Sequence, residues 1–179
     1  MSESLPESLN EIRIRAILQK IGERVATPSN LILIGGGALA LLGSPRLTVD
    51  IDFIGDDVTP DELGKTVMQV AKEQNIYADP VPLQRFIPLP KGSEDRMIAI
   101  GKFGNLAVYA ADPYSIALGK LERGFDTDLQ DIVFLIQRKL IDLVRLQQVV
   151  EEALPRAIEF DMNSLDLLAH LQTIVKRLK

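Results

Sequence analysis

The stretch LILIGGGALALLGSPRLTVDIDF, residues 31 to 53, constrains the fold more than any other part of the chain. Leu31 to Ile34 is a short apolar run closed by glycine, which reads as a buried strand. Gly35, Gly36 and Gly37 follow, then Ala38 to Leu42 as a short helix stopped by Gly43-Ser44-Pro45. Leu47 to Ile54 reads as the second strand. Alternate residues of a strand share a face, so Thr48, Asp50 and Asp52 point one way and Val49, Ile51 and Phe53 the other. Two carboxylates about 7 Å apart on one face repel each other. Burying that face is costly unless something positive lies between them.

Three chemistries are open for this stretch. In the first, a divalent cation sits on Asp50 and Asp52. Magnesium takes oxygen ligands, one or two carboxylates and the phosphate oxygens of a substrate. The glycines let backbone approach a bulky anion, next to the N-terminal end of a helix. A phosphate grip beside a metal grip suits phosphoryl or nucleotidyl transfer. In the second, Gly35-Gly36-Gly37-Ala38-Leu39-Ala40 is a dinucleotide fingerprint of the form G-x-G-x-x-A. Against it stand a helix too short for the usual crossover and two acids inside the next strand, where one at a strand end is the rule. In the third, the glycines form a plain turn and the aspartates are solvated on an edge strand.

The rest of the chain places this stretch in a mixed fold. Pro6 to Val25 reads as a helix, and Thr59-Pro60-Asp61-Glu62 as a helix start with threonine as the cap, running to about Glu73. Residues 78–92 hold four prolines and are expected to be edge strand and loop. Met97 to Phe103 and Leu106 to Ala110 read as a hairpin turning at Gly104-Asn105. Asp112-Pro113 opens a helix to about Glu122, Arg123 to Thr127 is a loop, and helices are expected over 128–141, 143–158 and 164–178. Strands crowd the first two-thirds and helices the last third. The expected architecture is α+β: a small mixed sheet with helices over residues 1–111, then a helical bundle over 112–179, as two domains or one.

Charge and composition narrow the function. The chain has 179 residues, no cysteine and a net charge of −5, which argues against coating nucleic acid non-specifically and excludes thiolate metal sites. No apolar run nears the roughly 20 residues of a membrane span, and the acidic N-terminus is unlike a secretory leader, so no membrane partner and a cytoplasmic location are expected. The single histidine, His170, lies in a helical pattern and reads as structural, which disfavours histidine metal sites and Ser–His–Asp catalysis.

Ile34-Gly35-Gly36, a gap of thirteen residues (37–49), and Asp50-Ile51-Asp52 resemble the signature of the nucleotidyltransferase (DNA polymerase β-like) superfamily. Arg46-x-Thr48-x-Asp50-x-Asp52 looks like its minimal prokaryotic branch, which includes AbiEii-type toxins and uncharacterised nucleotidyltransferase-like proteins. A second patch is similar to the same branch: Asp112-Pro113, the helix end Gly119-Lys120-Leu121, then Asp128-Leu129-Gln130-Asp131-Ile132. The resemblance implies that Asp50 and Asp52 bind Mg2+ and that Gly35, Gly36 and Gly37, with Arg46 and Thr48, hold a nucleotide. It further implies that Lys120 meets a phosphate or developing negative charge. Members also carry a third carboxylate on a later strand. Arg96 to Ala111 contains no Asp or Glu, so that role falls to Asp112, which also reads as a helix cap. Arg46 also reads as a turn residue paired with an acid, and Lys120 as a surface lysine. Asp128 and Asp131 read as acids at a helix start or as a brace to Lys120.

The implied activity is Mg2+-dependent transfer of a nucleoside monophosphate from a nucleoside triphosphate to a hydroxyl of protein or RNA. The branch implies a toxin–antitoxin or phage-defence setting, with a cognate toxin or antitoxin as partner. An RNA acceptor would want a basic groove from Lys91, Arg96, Lys102, Lys120 and Arg123. The competing function is a catalytically weak or inactive protein of the same fold that binds a partner through its C-terminal helices. There the apolar stretch 140–154 would leave a stripe exposed.

Overall fold

The computed structural model describes residues 7–179. They form two compact units: one runs to Pro82 and resumes over Ile98–Ala111, the other comprises Leu83–Met97 and Asp112–Lys179.

The first unit is built on a five-stranded sheet. Its elements are α1 (Glu11–Arg24), β1 (Ser29–Ile34), α2 (Gly35–Leu41), β2 (Asp50–Ile54), α3 (Glu62–Glu73), β3 (Tyr77–Val81), β4 (Ile98–Phe103) and β5 (Leu106–Ala110). The strand order is β3-β2-β1-β5-β4. β1 runs antiparallel to β2 and parallel to β5, β3 is parallel to β2, and β4 closes the far edge antiparallel to β5. The mixed α+β architecture expected from the strand and helix patterns is the one observed.

One sheet face carries the core. Leu31 and Leu33 of β1, Ile51 and Phe53 of β2, and Leu106 and Val108 of β5 are buried, as are Ile14, Ile17, Leu18 and Ile21 of α1 and Val67, Val70 and Ala71 of α3. Each such aliphatic side chain contributes roughly 1.5–3 kcal/mol by leaving water. The intervening residues of β2, Asp50, Asp52 and Ile54, are half-buried, so the period-two alternation read from the sequence is real.

Several boundaries differ from expectation, each for a local reason. α1 begins at Glu11 because the Asn10 side chain caps it, accepting from the Arg13 amide at 2.9 Å. Of the expected start, Pro6 lies outside the described residues, and Leu9 is not helical but forms a two-residue bridge with Thr48. α2 starts at Gly35 itself rather than at Ala38. The cap of α3 is Asp61, which accepts from the Gly64 amide at 2.7 Å. Thr59 lies before the cap, in a turn where the Asp56 carboxylate accepts from its amide and that of Val58. In the proline-rich segment only Tyr77–Val81 is strand, and Leu83–Arg85 and Glu94–Arg96 are single 3-10 turns. The hairpin does turn at Gly104-Asn105, where the Asn105 side-chain Nδ2 donates to the Val25 carbonyl at 3.0 Å.

The second unit is helical: α4 (Pro113–Arg123), α5 (Asp126–Gln137), α6 (Leu143–Ala153) and α7 (Ser164–Arg177). The loop expected over 123–127 shrinks to Gly124-Phe125, because Gly124 ends α4 in the left-handed conformation and α5 starts at once. α5 stops at Gln137, four residues short of expectation, and α6 gives way to a 3-10 stretch, Leu154–Phe160, at Pro155. Leu118, Leu121, Ile132, Leu135, Leu146, Val150, Leu167 and Ile174 are buried in this unit. Of the apolar residues in 140–154, Ile141, Leu146, Val149 and Val150 are buried and Val144 is exposed.

Candidate active site

Gly35, Gly36, Thr48, Asp50 and Asp52 come together in the first unit, where the end of β1 meets β2. Ile34 pairs with Asp52 across the antiparallel ladder, which sets the first glycine directly beside that carboxylate. Gly35 has φ +64°, and a Cβ on it would lie 2.7 Å from Asp52 Oδ2. Only glycine takes this conformation without strain and leaves that space. At Gly36 a Cβ would lie 2.6 Å from Thr48 Oγ1 and 3.4 Å from an Arg46 guanidinium nitrogen. The Thr48 hydroxyl donates to Asp50 Oδ1 at 2.9 Å. Gly37 is less constrained, with nothing nearer than 3.6 Å to a Cβ there. Arg46 also donates to the Leu47 carbonyl at 3.4 Å. The glycine turn and the two acids are therefore one piece of surface.

The register adds a residue that sequence reasoning missed. β3 pairs with β2 in parallel, Asp50 opposite Tyr77 and Asp52 opposite Asp79. Adjacent strands lie about 4.8 Å apart and in-register neighbours share a face, so Tyr77 and Asp79 stand on the face of the two aspartates. Both are exposed. β3 neighbours β2 and precedes residues 96–111, so Asp79 lies outside the stretch in which a third carboxylate was expected. The signal available was a lone acid in a short strand following the helix after Asp-x-Asp.

The magnesium expectation can be tested on this donor set. Among the described residues, no three or more His, Cys, Asp or Glu side chains close around one point as a cage. Magnesium needs only one or two protein carboxylates when water and substrate phosphates complete its shell. Asp50 and Asp52 would offer such oxygens on one strand face, and the missing Cβ of Gly35 leaves room against Asp52 Oδ2. The residues fit a cation that arrives with a triphosphate.

The remaining candidates lie in the second unit. Asp112 caps α4: its carboxylate accepts from the Ser115 amide at 3.2 Å and the Ser115 hydroxyl at 2.9 Å, and from Arg96 Nε and Nη2 at 2.8 and 2.9 Å. Arg96 lies over the Tyr114 ring, 5.5 Å from its centre, and the Asp112 carboxylate raises its pKa above the ordinary arginine value. Lys120 is not a surface lysine: it is 4% exposed, with Nζ donating to Asp128 Oδ1 at 3.2 Å and Asp131 Oδ2 at 2.7 Å. Arg123 joins from the rim, 2.6 Å from Asp128 Oδ1. Asp128 Oδ2 is buried without a hydrogen-bond partner. Of the five cations expected to form a basic groove, Arg96, Lys120 and Arg123 are thus committed to acids of their own unit. His170 accordingly has a structural contact, Nδ1 lying 2.6 Å from the Leu121 carbonyl at the end of α4.

A glycine turn seated on an Asp-x-Asp strand, in a mixed sheet with flanking helices, defines a nucleotidyltransferase-like domain. The family described as "Nucleotidyltransferase of unknown function (DUF6036)" matches residues 12–179, and the chain belongs to it. No curated protein and no solved structure matches the chain. Among the described residues, no helix is long and apolar enough to cross a membrane.

Proposed function

We propose that this protein transfers a nucleoside monophosphate from a nucleoside triphosphate to a hydroxyl of a protein or RNA acceptor, with Mg2+ as cofactor. The observation that carries the reading is the seating of Gly35 on Asp52 and of Gly36 on Thr48. A phosphate chain can lie against backbone there, beside two acids whose oxygens suit a magnesium ion. Bound magnesium would offset the negative charge of the triphosphate and of the departing diphosphate.

The chain's own residues have separable tasks. Asp50 and Asp52 hold the cation. Gly35 and Gly36 leave room for the phosphates, and Arg46, beside Gly36, adds positive charge at that end. Asp79, exposed and next to Asp52, takes the proton of the attacking hydroxyl. The acceptor oxygen bonds to the α-phosphorus, the bond from that phosphorus to the β-phosphate bridge breaks, and diphosphate leaves. The Arg46-x-Thr48-x-Asp50-x-Asp52 pattern and the patch over 112–132 support a place beside AbiEii-type toxins, in a toxin–antitoxin or phage-defence system.

Calorimetry with ATP, CTP, GTP and UTP plus magnesium tests the reading. At least one nucleotide should bind, and the Asp50→Ala, Asp52→Ala double variant should lose that binding. Absence of binding to the wild type, or its survival in the double variant, would leave the non-catalytic partner role in its place.

A further inference from the structure

Thr48 is enclosed by its own protein on every side that matters. Its amide donates to the Leu9 carbonyl at 3.1 Å, and its carbonyl accepts from the Leu9 amide at 2.6 Å. Leu9 is fully buried, so an extended segment ahead of α1 pins the Thr48 backbone. The side chain lies against Gly36, where an added Cβ would come within 2.9 Å of Thr48 Cβ. Its one hydroxyl donor is spent on Asp50 Oδ1 at 2.9 Å. Thr48 itself is 7% exposed.

We propose that Thr48 is a positioning residue: it fixes the Asp50 carboxylate for the cation and acts on the nucleotide only through that carboxylate. The inference rests on the nucleotidyl-transfer reading above. A carboxylate anchored through one oxygen loses less rotational freedom when it takes up a metal ion, and this preorganisation appears as affinity. A threonine anchored at its backbone and against Gly36 can supply such a hold. A side chain that reached out to the nucleotide would have to leave Asp50.

The experiment compares Thr48→Val, which keeps the shape and removes the hydroxyl, with Thr48→Ser, which keeps the hydroxyl. The nucleotide that wild type binds is titrated by calorimetry across a magnesium series and in EDTA, and thermal unfolding is followed in parallel. A hydrogen bond to a charged group sets the scale: Thr48→Val should weaken magnesium-dependent binding by about tenfold. Thr48→Ser should stay near wild type, both variants should melt close to wild type, and the difference should vanish in EDTA. The proposal is overturned if Thr48→Val binds as tightly as wild type, if Thr48→Ser falls as far as Thr48→Val, or if the loss persists in EDTA. Any of these leaves the nucleotidyl-transfer reading standing. Wild type that binds no nucleotide at all overturns both.

Discussion

Asp79 stands in register with Asp52, one strand further out on the same sheet face. A carboxylate there is separate from the pair that shares β2, and it is exposed where they are half-buried. The proposed mechanism gives them separate jobs: the half-buried pair for the cation, the exposed neighbour for a proton. Asp79→Asn should therefore leave magnesium-dependent nucleotide binding within about threefold of wild type. Transfer to the acceptor should fall by roughly 10²–10⁴, the usual worth of a general base. Calorimetry and a radiolabelled transfer assay measure the two separately. An Asp79→Asn protein that transfers at the wild-type rate removes Asp79 from the mechanism.

Gly35 and Gly37 are neighbours with different reasons for being glycine. Gly35 needs its positive φ and leaves space for Asp52 Oδ2, whereas Gly37 has neither constraint. Gly35→Ala should cost about 1–2 kcal/mol of stability from backbone strain and weaken nucleotide binding as Asp52 is displaced. Gly37→Ala should be neutral or slightly stabilising, since alanine is the better helix former. Urea denaturation of the two variants measures the contrast, and equal costs would show that the turn does not depend on Gly35.

The acid–base pair between α1 and α3 has a readable pH dependence. Two hydrogen bonds from Arg24, at 2.5 and 2.9 Å, hold the Glu73 carboxyl below its ordinary value. A carboxyl whose folded pKa is lowered contributes stability that is present above its unfolded value, about 4.3 for glutamate. That contribution is lost as pH falls through the lower folded value. Both side chains are exposed, so the effect is small. NMR titration should place the Glu73 midpoint below that of an unpaired glutamate, and Arg24→Gln should move it up. Stability curves of wild type and Arg24→Gln should differ by a constant amount at neutral pH and converge below about pH 4. Divergence on acidification would have the sign reversed.

What the sequence disclosed depends on the range of the interaction. Asp50 and Asp52 were legible because strand alternation is local and the residues between them, Ile51 and Phe53, are apolar. The glycine turn was legible because three consecutive glycines close a short apolar run. Asp79 was hidden: the proline-bearing stretch 78–92 read only as edge strand and loop, and the pairing of Tyr77–Val81 with β2 is a fact of register that no local pattern records. The Leu9–Thr48 bridge was hidden for the same reason, joining residues far apart in sequence. At the start of α3 threonine was expected to cap, but Asp61 does so by accepting from the Gly64 amide, and Thr59 lies in the turn held by Asp56. Lys120 was open to two readings, a phosphate contact implied by the resemblance and a surface lysine, and neither foresaw its burial. Its burial follows from two aspartates presented by the first turns of α5.

That burial sets the strongest stability prediction. Lys120, Asp128 and Asp131 are each 4% exposed or less, and the ammonium is the buried cation that contacts both carboxylates. Breaking a buried ion pair from one side leaves an uncompensated charge, at a cost of roughly 3–5 kcal/mol. Lys120→Met should lose about that much in urea denaturation, against a total of about 5–15 kcal/mol for a typical domain. Arg123 reaches only Asp128 from the rim and cannot replace the lysine at Asp131. Replacing all three groups removes the stranded charge, so Lys120→Met with Asp128→Asn and Asp131→Asn should recover much of the loss. The triple variant separates the two explanations of a weak Lys120→Met protein. Recovery means the lysine served to neutralise the aspartates, and no recovery means its aliphatic stem and packing mattered more. A Lys120→Met protein as stable as wild type would show that the aspartates do not depend on it.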